Sequence, residues 1–362
     1  MAETQLFETP TEQGQSIALV DSDIHPMPSS TEELTAYLSK EARSHAERLG
    51  YFDGRPLAAS WGRHYAWGGG LRADAQPVDG ESPLDRVRRQ VLDEYGTEFG
   101  ILNFLNPFER SGPDLSSEGA RAVNDWLTEL WLEPEPRLLG SMIVPWEWPE
   151  LAVREIERRV KDGHWAQILA PGEAIEPLGS PKYWPIYQAA TAYGLPVATH
   201  IGFFDPHHGT GWPSFTFEHH LCFSLSARRQ LLNCVCEGLF DGVPGVRLVM
   251  VEGGVSWAAS LRWALDSAFE LLGDEVRLER RPSEYLDESV WFTTQPIEEP
   301  DDPSEFAAAI DHAHLADRLL FSSDYPHWDF DSPAQALPRS LPDATRKRIF
   351  AGNACELYGL PR

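Results

Sequence analysis

The chain has 362 residues, 42% of them hydrophobic, with 13 Trp and 17 Phe, which suffices for a substantial core in one large domain or two average ones. A net charge of −26 would repel phosphate backbones and anionic lipid surfaces, so nucleic-acid and peripheral-membrane partners are excluded as expectations. Four cysteines (Cys222, Cys234, Cys236, Cys355) do not make a disulfide scaffold at this length, and no apolar run reaches membrane-spanning length. The acidic opening lacks the basic and apolar regions of a signal peptide, so residues 1–16 are expected to be a loose tail and the protein cytoplasmic.

After that tail, short apolar, β-branched runs alternate with segments of helical periodicity, and no linker or low-complexity block divides them. Candidate strands are Ile17–Val20, Gly100–Phe104, Leu139–Val144, Ala166–Leu169, Val197–Thr199, Val246–Val251, Val290–Thr293 and Leu319–Ser322. The helical segments between them include PLDRVRRQVLDEY, SEGARAVNDWLTELWL, PELAVREIERRVKDG and VSWAASLRWALDSAFELLG, most opening on Pro or Ser. Eight βα units over residues 17–362 predict a single (β/α)8 TIM-type barrel. An open doubly wound sheet is the alternative, but no Gly-rich phosphate loop succeeds the first strand. Insertions at about 27–82 and 202–223 would wall a pocket.

In such a barrel the chemistry sits at the C-terminal ends of the strands, so the residues at the end of each apolar run are the ones to inspect. ALVDSDIHP ends the first strand with Asp23 and His25, whose i, i+2 spacing puts both side chains on one side of an extended chain. The fifth, LPVATHIG, delivers His200; the sixth, VRLVMVEGG, delivers Glu252; the eighth, RLLFSSDYPHWD, delivers Asp324 with His327 just beyond. Taken singly these have plain explanations: a rim histidine, a turn cap at Asp324, or a cap from Glu252 on the helix starting near Val255. Together they place imidazoles and carboxylates on one rim, which is the donor set of a borderline divalent ion such as Zn, Mn or Fe. In FEHH, His220 would complete a second metal position or shuttle protons, while Trp61, Arg63 and Trp67 in WGRHYAWGGG, with Arg72, would line a substrate pocket and hold a carboxylate. Ser322 and Ser323 lack a nucleophile elbow.

DSDIHP, PKYWPIYQAATAYGLPVATHIG, VRLVMVEGGVSWAASLRWALD, LLFSSDYPHWD and IFAGNACELYGL together resemble the amidohydrolase-related branch of the amidohydrolase superfamily, and the likeness covers nearly the whole chain after the tail. The resemblance implies a metal-dependent hydrolase or carboxy-lyase acting on a small carboxylated or carbonyl-containing substrate, with the ion held by Asp23, His25, His200 and Asp324. Asp324 would act as general base or proton relay, assisted by His327 or His220. Departures from the family pattern are Asp23 where many relatives carry His or Glu, Glu252 where many carry a catalytic His, and a fourth strand without the bridging Lys of two-metal hydrolases. The extra carboxylate tilts the site toward Mn or Fe and is compatible with two ions. A subgroup resembling aminoisobutyrate hydroxylase and thioacid hydrolase proteins supplies the alternatives: a subunit of a dinuclear Mn/Fe oxygen-activating monooxygenase, or its non-catalytic partner. The expected partners are a small-molecule substrate and either a second copy of the chain or a homologous subunit.

Overall fold

A computed structural model describes residues 18–49, 70–76, 78–105, 111–172, 174–201 and 215–361. Its sheet has eight parallel strands in sequential order: β1 (Leu19–Ile24), β2 (Thr97–Leu102), β3 (Leu138–Ile143), β4 (Trp165–Pro171), β5 (Val197–His200), β6 (Leu248–Val251), β7 (Val290–Thr293) and β8 (Leu319–Leu320). Each neighbour pair is parallel with a helical crossover between, the geometry that a right-handed βαβ repeat imposes. The ends meet through the Ser22 amide donating to the Phe321 carbonyl (2.9 Å), the Asp324 amide to the Asp23 carbonyl (3.1 Å) and the His25 amide to the Tyr325 carbonyl (2.7 Å). The predicted (β/α)8 barrel is therefore present.

Helices start where the sequence places their signals. Pro83, Pro113, Pro149, Pro282 and Pro303 each sit in a first turn, where a missing N–H costs nothing, and Ser82 and Asp302 accept backbone amides as caps. The helix faces bury Trp126, Ile156, Ile186, Leu231, Leu261 and Ile310 against strands whose side chains are themselves almost all buried. Both faces of a parallel barrel strand are covered, one by helices and one by the barrel interior. At Gly140 on β3 a methyl group would lie 2.7 Å from the Trp165 ring, so the indole can close the wall only over glycine.

Several expected boundaries move. The apolar run predicts that β1 ends at Val20, before Asp21, Ser22 and Asp23; the ladder continues to Ile24 because Asp21 and Asp23 face a polar barrel interior. β4 is longer than Ala166–Leu169 at both ends, whereas β8 is only two residues, and Phe321 to Asp324 continue it outside the ladder. The insertion expected at 202–223 overlaps a helix, Thr216–Cys236, that starts ten residues before the expected SARRQLL segment; residues 202–214 lie outside the described residues. The helices that end at Val87, Leu127 and Lys347 each run on into a short π-helical stretch, for which the sequence carries no signal.

At the N-terminal end of β3, Glu135 is nearly buried and accepts from the Arg137 and Arg88 guanidinium groups at 2.9 and 3.0 Å. Its hydrogen bonds with Arg137 outweigh burial and hold its pKa down at about 2, against an ordinary value of 4.5. A depressed carboxylate pKa adds stability above the unfolded value, and that stability disappears as pH falls through the folded one. Glu135→Gln should therefore cost about 2 kcal/mol near pH 7, after allowance for solvent screening. The Tm gap between wild type and variant should narrow steadily from pH 4.5 toward pH 2; a pH-independent gap would show that lost packing, not charge, is responsible.

Candidate metal centre

Asp23, His25, His200, Glu252 and Asp324 are all buried, and each offers a ligand atom within 4.8 Å of the others. The backbone delivers them. On β1 the alternation of an extended chain carries Asp21, Asp23 and His25 to the barrel side, and Asp21 braces the strand by accepting the amides of Ser323 (3.0 Å) and Asp23 (3.2 Å). His200 is the last residue of β5. Glu252 and Asp324 come just after β6 and β8 in the left-handed region, at φ 57° and 59°, a conformation that costs a non-glycine residue free energy and turns each carboxylate back over the barrel mouth.

The second layer fixes which ring nitrogens face inward. The His25 Nδ1–H donates to the Asn103 carbonyl (2.8 Å), and the His200 Nδ1–H to the Ile201 carbonyl (2.6 Å). A carbonyl can only accept, so both protons sit on Nδ1 and both Nε2 lone pairs point into the cluster. His25 Nε2 lies 2.8 Å from Asp324 Oδ1 and 3.4 Å from Asp23 Oδ1; His200 Nε2 lies 3.1 Å from Glu252 Oε2 and 3.6 Å from Asp23 Oδ2. His200 Nε2 and Asp23 Oδ2 are buried with no hydrogen-bond partner. Acceptors facing acceptors across about 3 Å is the spacing of neighbouring ligands around one ion with metal–ligand bonds near 2.1 Å.

Charge makes the same demand. Three buried carboxylates converge, and among the described residues no Arg or Lys is paired with any of them. Burial, followed by the charges of Asp324, Asp23 and Asp329, pushes the Glu252 pKa well above its ordinary value. A divalent cation would supply the missing positive charge, so the donor set fits one.

Beside the cluster, His327 Nδ1–H donates to Asp324 Oδ1 at 2.8 Å, and the His25 and His327 rings lie 4.4 Å apart between centroids. Burial alone would raise the Asp324 pKa, but the charge and hydrogen bond of His327 oppose it and the carboxyl lies below the usual range. Burial alone would lower the His327 pKa, but Asp324, Asp23 and Asp329 reverse the sign. Gln295 Nε2–H bridges Asp324 Oδ2 (3.3 Å) and Asp329 Oδ2 (2.9 Å), and His220 Nδ1 stands 3.6 Å from Asp329 Oδ2.

The five sequence-predicted rim residues are thus brought together. His220 is on the helix Thr216–Cys236, with Asp329 as its neighbour, outside the five-residue cluster. The capping role considered for Glu252 falls instead to Glu298, whose Oε2 accepts the Val255 and Ser256 amides at 3.0 and 2.7 Å. Arg72 forms a bidentate pair with Asp74 (2.7 and 2.8 Å) and stacks 4.1 Å over the Phe330 ring, so a substrate carboxylate would have to compete with Asp74. Trp61, Arg63 and Trp67 lie outside the described residues. Sequence reasoning missed Asn103, Gln295 and Asp329. Of these, only Asp329 carried a signal, as the second carboxylate in DYPHWD.

The family model described as amidohydrolase matches residues 20–360. The chain is 28% identical over 295 residues to a γ-resorcylate decarboxylase from a Polaromonas species (76% of this chain, 87% of the relative) and 25% identical over 291 residues to one from a Rhizobium species (76% and 88%). Among solved structures it is similar to a dihydroxybenzoic acid decarboxylase from the Polaromonas species holding manganese and the inhibitor 2-nitroresorcinol (TM-score 0.66, 22% identity, 95% and 98% coverage). It is similar as well to a 5-carboxyvanillate decarboxylase from Sphingomonas paucimobilis (TM-score 0.67, 17% identity, 96% and 100% coverage). With the barrel closed through its ligand-bearing strands and the family model matched from β1 to the last helix, this chain belongs to the amidohydrolase family.

Proposed function

We propose that the protein is a metal-dependent carboxy-lyase that releases CO2 from a small hydroxylated aromatic acid, with Mn2+ as its ion. The observation that carries this reading is a proton-bearing pair, His327 and Asp324, set against a buried cluster of two imidazoles and three carboxylates. Decarboxylation breaks one C–C bond, leaves an electron pair on the ring carbon and needs one proton delivered there. Hydroxylated aromatic acids are the substrates of the decarboxylase relatives, and the carboxylate-rich donor set favours a harder ion than a histidine-rich zinc site does. The oxygen-activating alternative draws no support from those relatives.

When bound, the ion would hold and polarise the substrate's oxygen atoms and neutralise their charge against the surrounding carboxylates. Asp23, His25, His200, Glu252 and Asp324 are the residues that would hold it. The chain's own chemistry is proton handling. With its pKa raised by the surrounding carboxylates, His327 keeps a proton on Nδ1, and Asp324 Oδ1 receives that hydrogen bond on the side facing the cluster. The proton that replaces CO2 on the ring passes through this pair, and Gln295 and Asp329 re-orient it for the next turnover. Since Glu252 occupies the position where many relatives place a histidine, His327 is the imidazole left to do this work.

The test is direct. Chain loaded with Mn2+ should release CO2 from 2,6-dihydroxybenzoate or 5-carboxyvanillate, and chelation should abolish release until Mn2+ is restored. A metal-loaded chain that releases no CO2 from a panel of hydroxybenzoates, yet cleaves esters or amides, would replace this reading with hydrolysis.

A further inference from the structure

Inside the barrel, beneath the cluster, a single line of hydrogen bonds joins the C-terminal helix Asn353–Tyr358 to Asp23. The Tyr358 hydroxyl donates to Gln167 Oε1 on β4 (2.9 Å). Gln167 Nε2–H donates to Ser141 Oγ on β3 (2.9 Å) and to Asn103 Oδ1 just past β2 (3.2 Å), and the Ser141 hydroxyl donates to the same Asn103 oxygen. Asn103 Nδ2–H then donates to Asp23 Oδ1 (2.8 Å), while its backbone carbonyl receives the His25 proton. Asn103, Ser141 and Gln167 are fully buried.

The direction of this line is forced from one end. An ionised carboxylate only accepts, so Asn103 must present its NH2 to Asp23 and its oxygen backward. That oxygen needs donors, which fixes the Ser141 hydroxyl and the Gln167 NH2; Gln167 then has its oxygen left over, and Tyr358 supplies the proton for it. No member can rotate without orphaning another buried polar atom, and the donors run in one sense from Tyr358 to Asn103, whose NH2 serves both Asp23 Oδ1 and the Ser22 carbonyl (3.3 Å).

We propose that Tyr358, Gln167, Ser141 and Asn103 are positioning residues that orient Asp23 and His25 to receive the ion, transmitting order from the C-terminal helix to the barrel mouth. This rests on the reading of the cluster as a metal site. With Oδ1 held by Asn103, Asp23 turns its unpartnered Oδ2 to the cluster; with Nδ1 held by the Asn103 carbonyl, His25 directs Nε2 there too, 2.8 Å from Asp324 Oδ1. A purely structural polar core would stabilise the barrel and leave the ligands indifferent to it.

The experiment compares wild type, Gln167→Met and Tyr358→Phe as full chains. Mn2+ affinity is read by calorimetric titration, coordination geometry by the d–d absorption of the Co2+-loaded protein, and folding by Tm. Gln167→Met should weaken Mn2+ binding about tenfold. Tyr358→Phe, which removes a single hydroxyl and keeps the ring, should weaken it about threefold. Both should alter the Co2+ spectrum. Variants that lose Tm but keep wild-type Mn2+ affinity and spectrum would overturn the proposal. If Gln167→Met does not fold, Tyr358→Phe alone decides. Failure of wild type to bind either ion would instead overturn the metal reading, and the proposal with it.

Discussion

Asp324→Asn, loaded with metal, should lose about a thousandfold or more in kcat while keeping its fold. The side chain is fully buried, and its Oδ1 is the meeting point of two imidazoles, His25 Nε2 and His327 Nδ1, each at 2.8 Å. Asparagine matches the carboxylate in shape and tolerates the left-handed backbone at φ 59° better than most residues. What it removes is the negative charge that keeps a proton on His327, the basicity that lets the side chain pass that proton on, and one anionic donor to the ion, so the comparison is made on a variant whose ion content has been measured. Single-turnover CO2 release from a bound substrate separates this loss from weakened substrate binding. An Asp324→Asn variant within tenfold of wild type would remove Asp324 from the chemistry.

The second large effect is expected at His200. His200→Ala should raise the metal Kd at least a hundredfold, measured as ion content after dialysis against a weak chelator. Glu252 would then face Asp23 across an empty space with no imidazole between, and the orphaned Nε2 that now points into the cluster would be gone. Because the ring is tied to the neighbouring Ile201 carbonyl and not to a distant element, its removal should disturb the barrel little. An alanine variant that retains its ion and its activity would exclude His200 as a ligand.

The site was legible because a parallel barrel converts position along the chain into position in space. The Asp23–His25 pair, His200, Glu252 and Asp324 are far apart in sequence, yet each lies on or just beyond the C-terminal end of a strand recognisable by its apolar run, so they had to share a rim. Residues that support them were not legible for the converse reason. Ser141 and Gln167 lie within β3 and β4, where a polar residue in a strand reads as facing solvent; only closure of the barrel reveals an interior that polar side chains fill. The same closure explains the underestimated length of β1. Glu298 carries no signal in the sequence, because the cap on the helix after β6 comes not from a neighbour in sequence but from the loop after β7.

The weakest join of the barrel coincides with its ligand cradle. β8 contributes only two ladder residues, and the ring is completed by amides and carbonyls of Ser22, Asp23, His25 and Asp324, three of which also bear ligands. An ion that binds the closed join and not the parted one lowers the frequency of parting by a factor of 1 + [M]/Kd. Metal supply would therefore govern more than turnover: it would set how often the cylinder springs open between its first and last staves, and so how long an unloaded chain survives proteases before it acquires its ion.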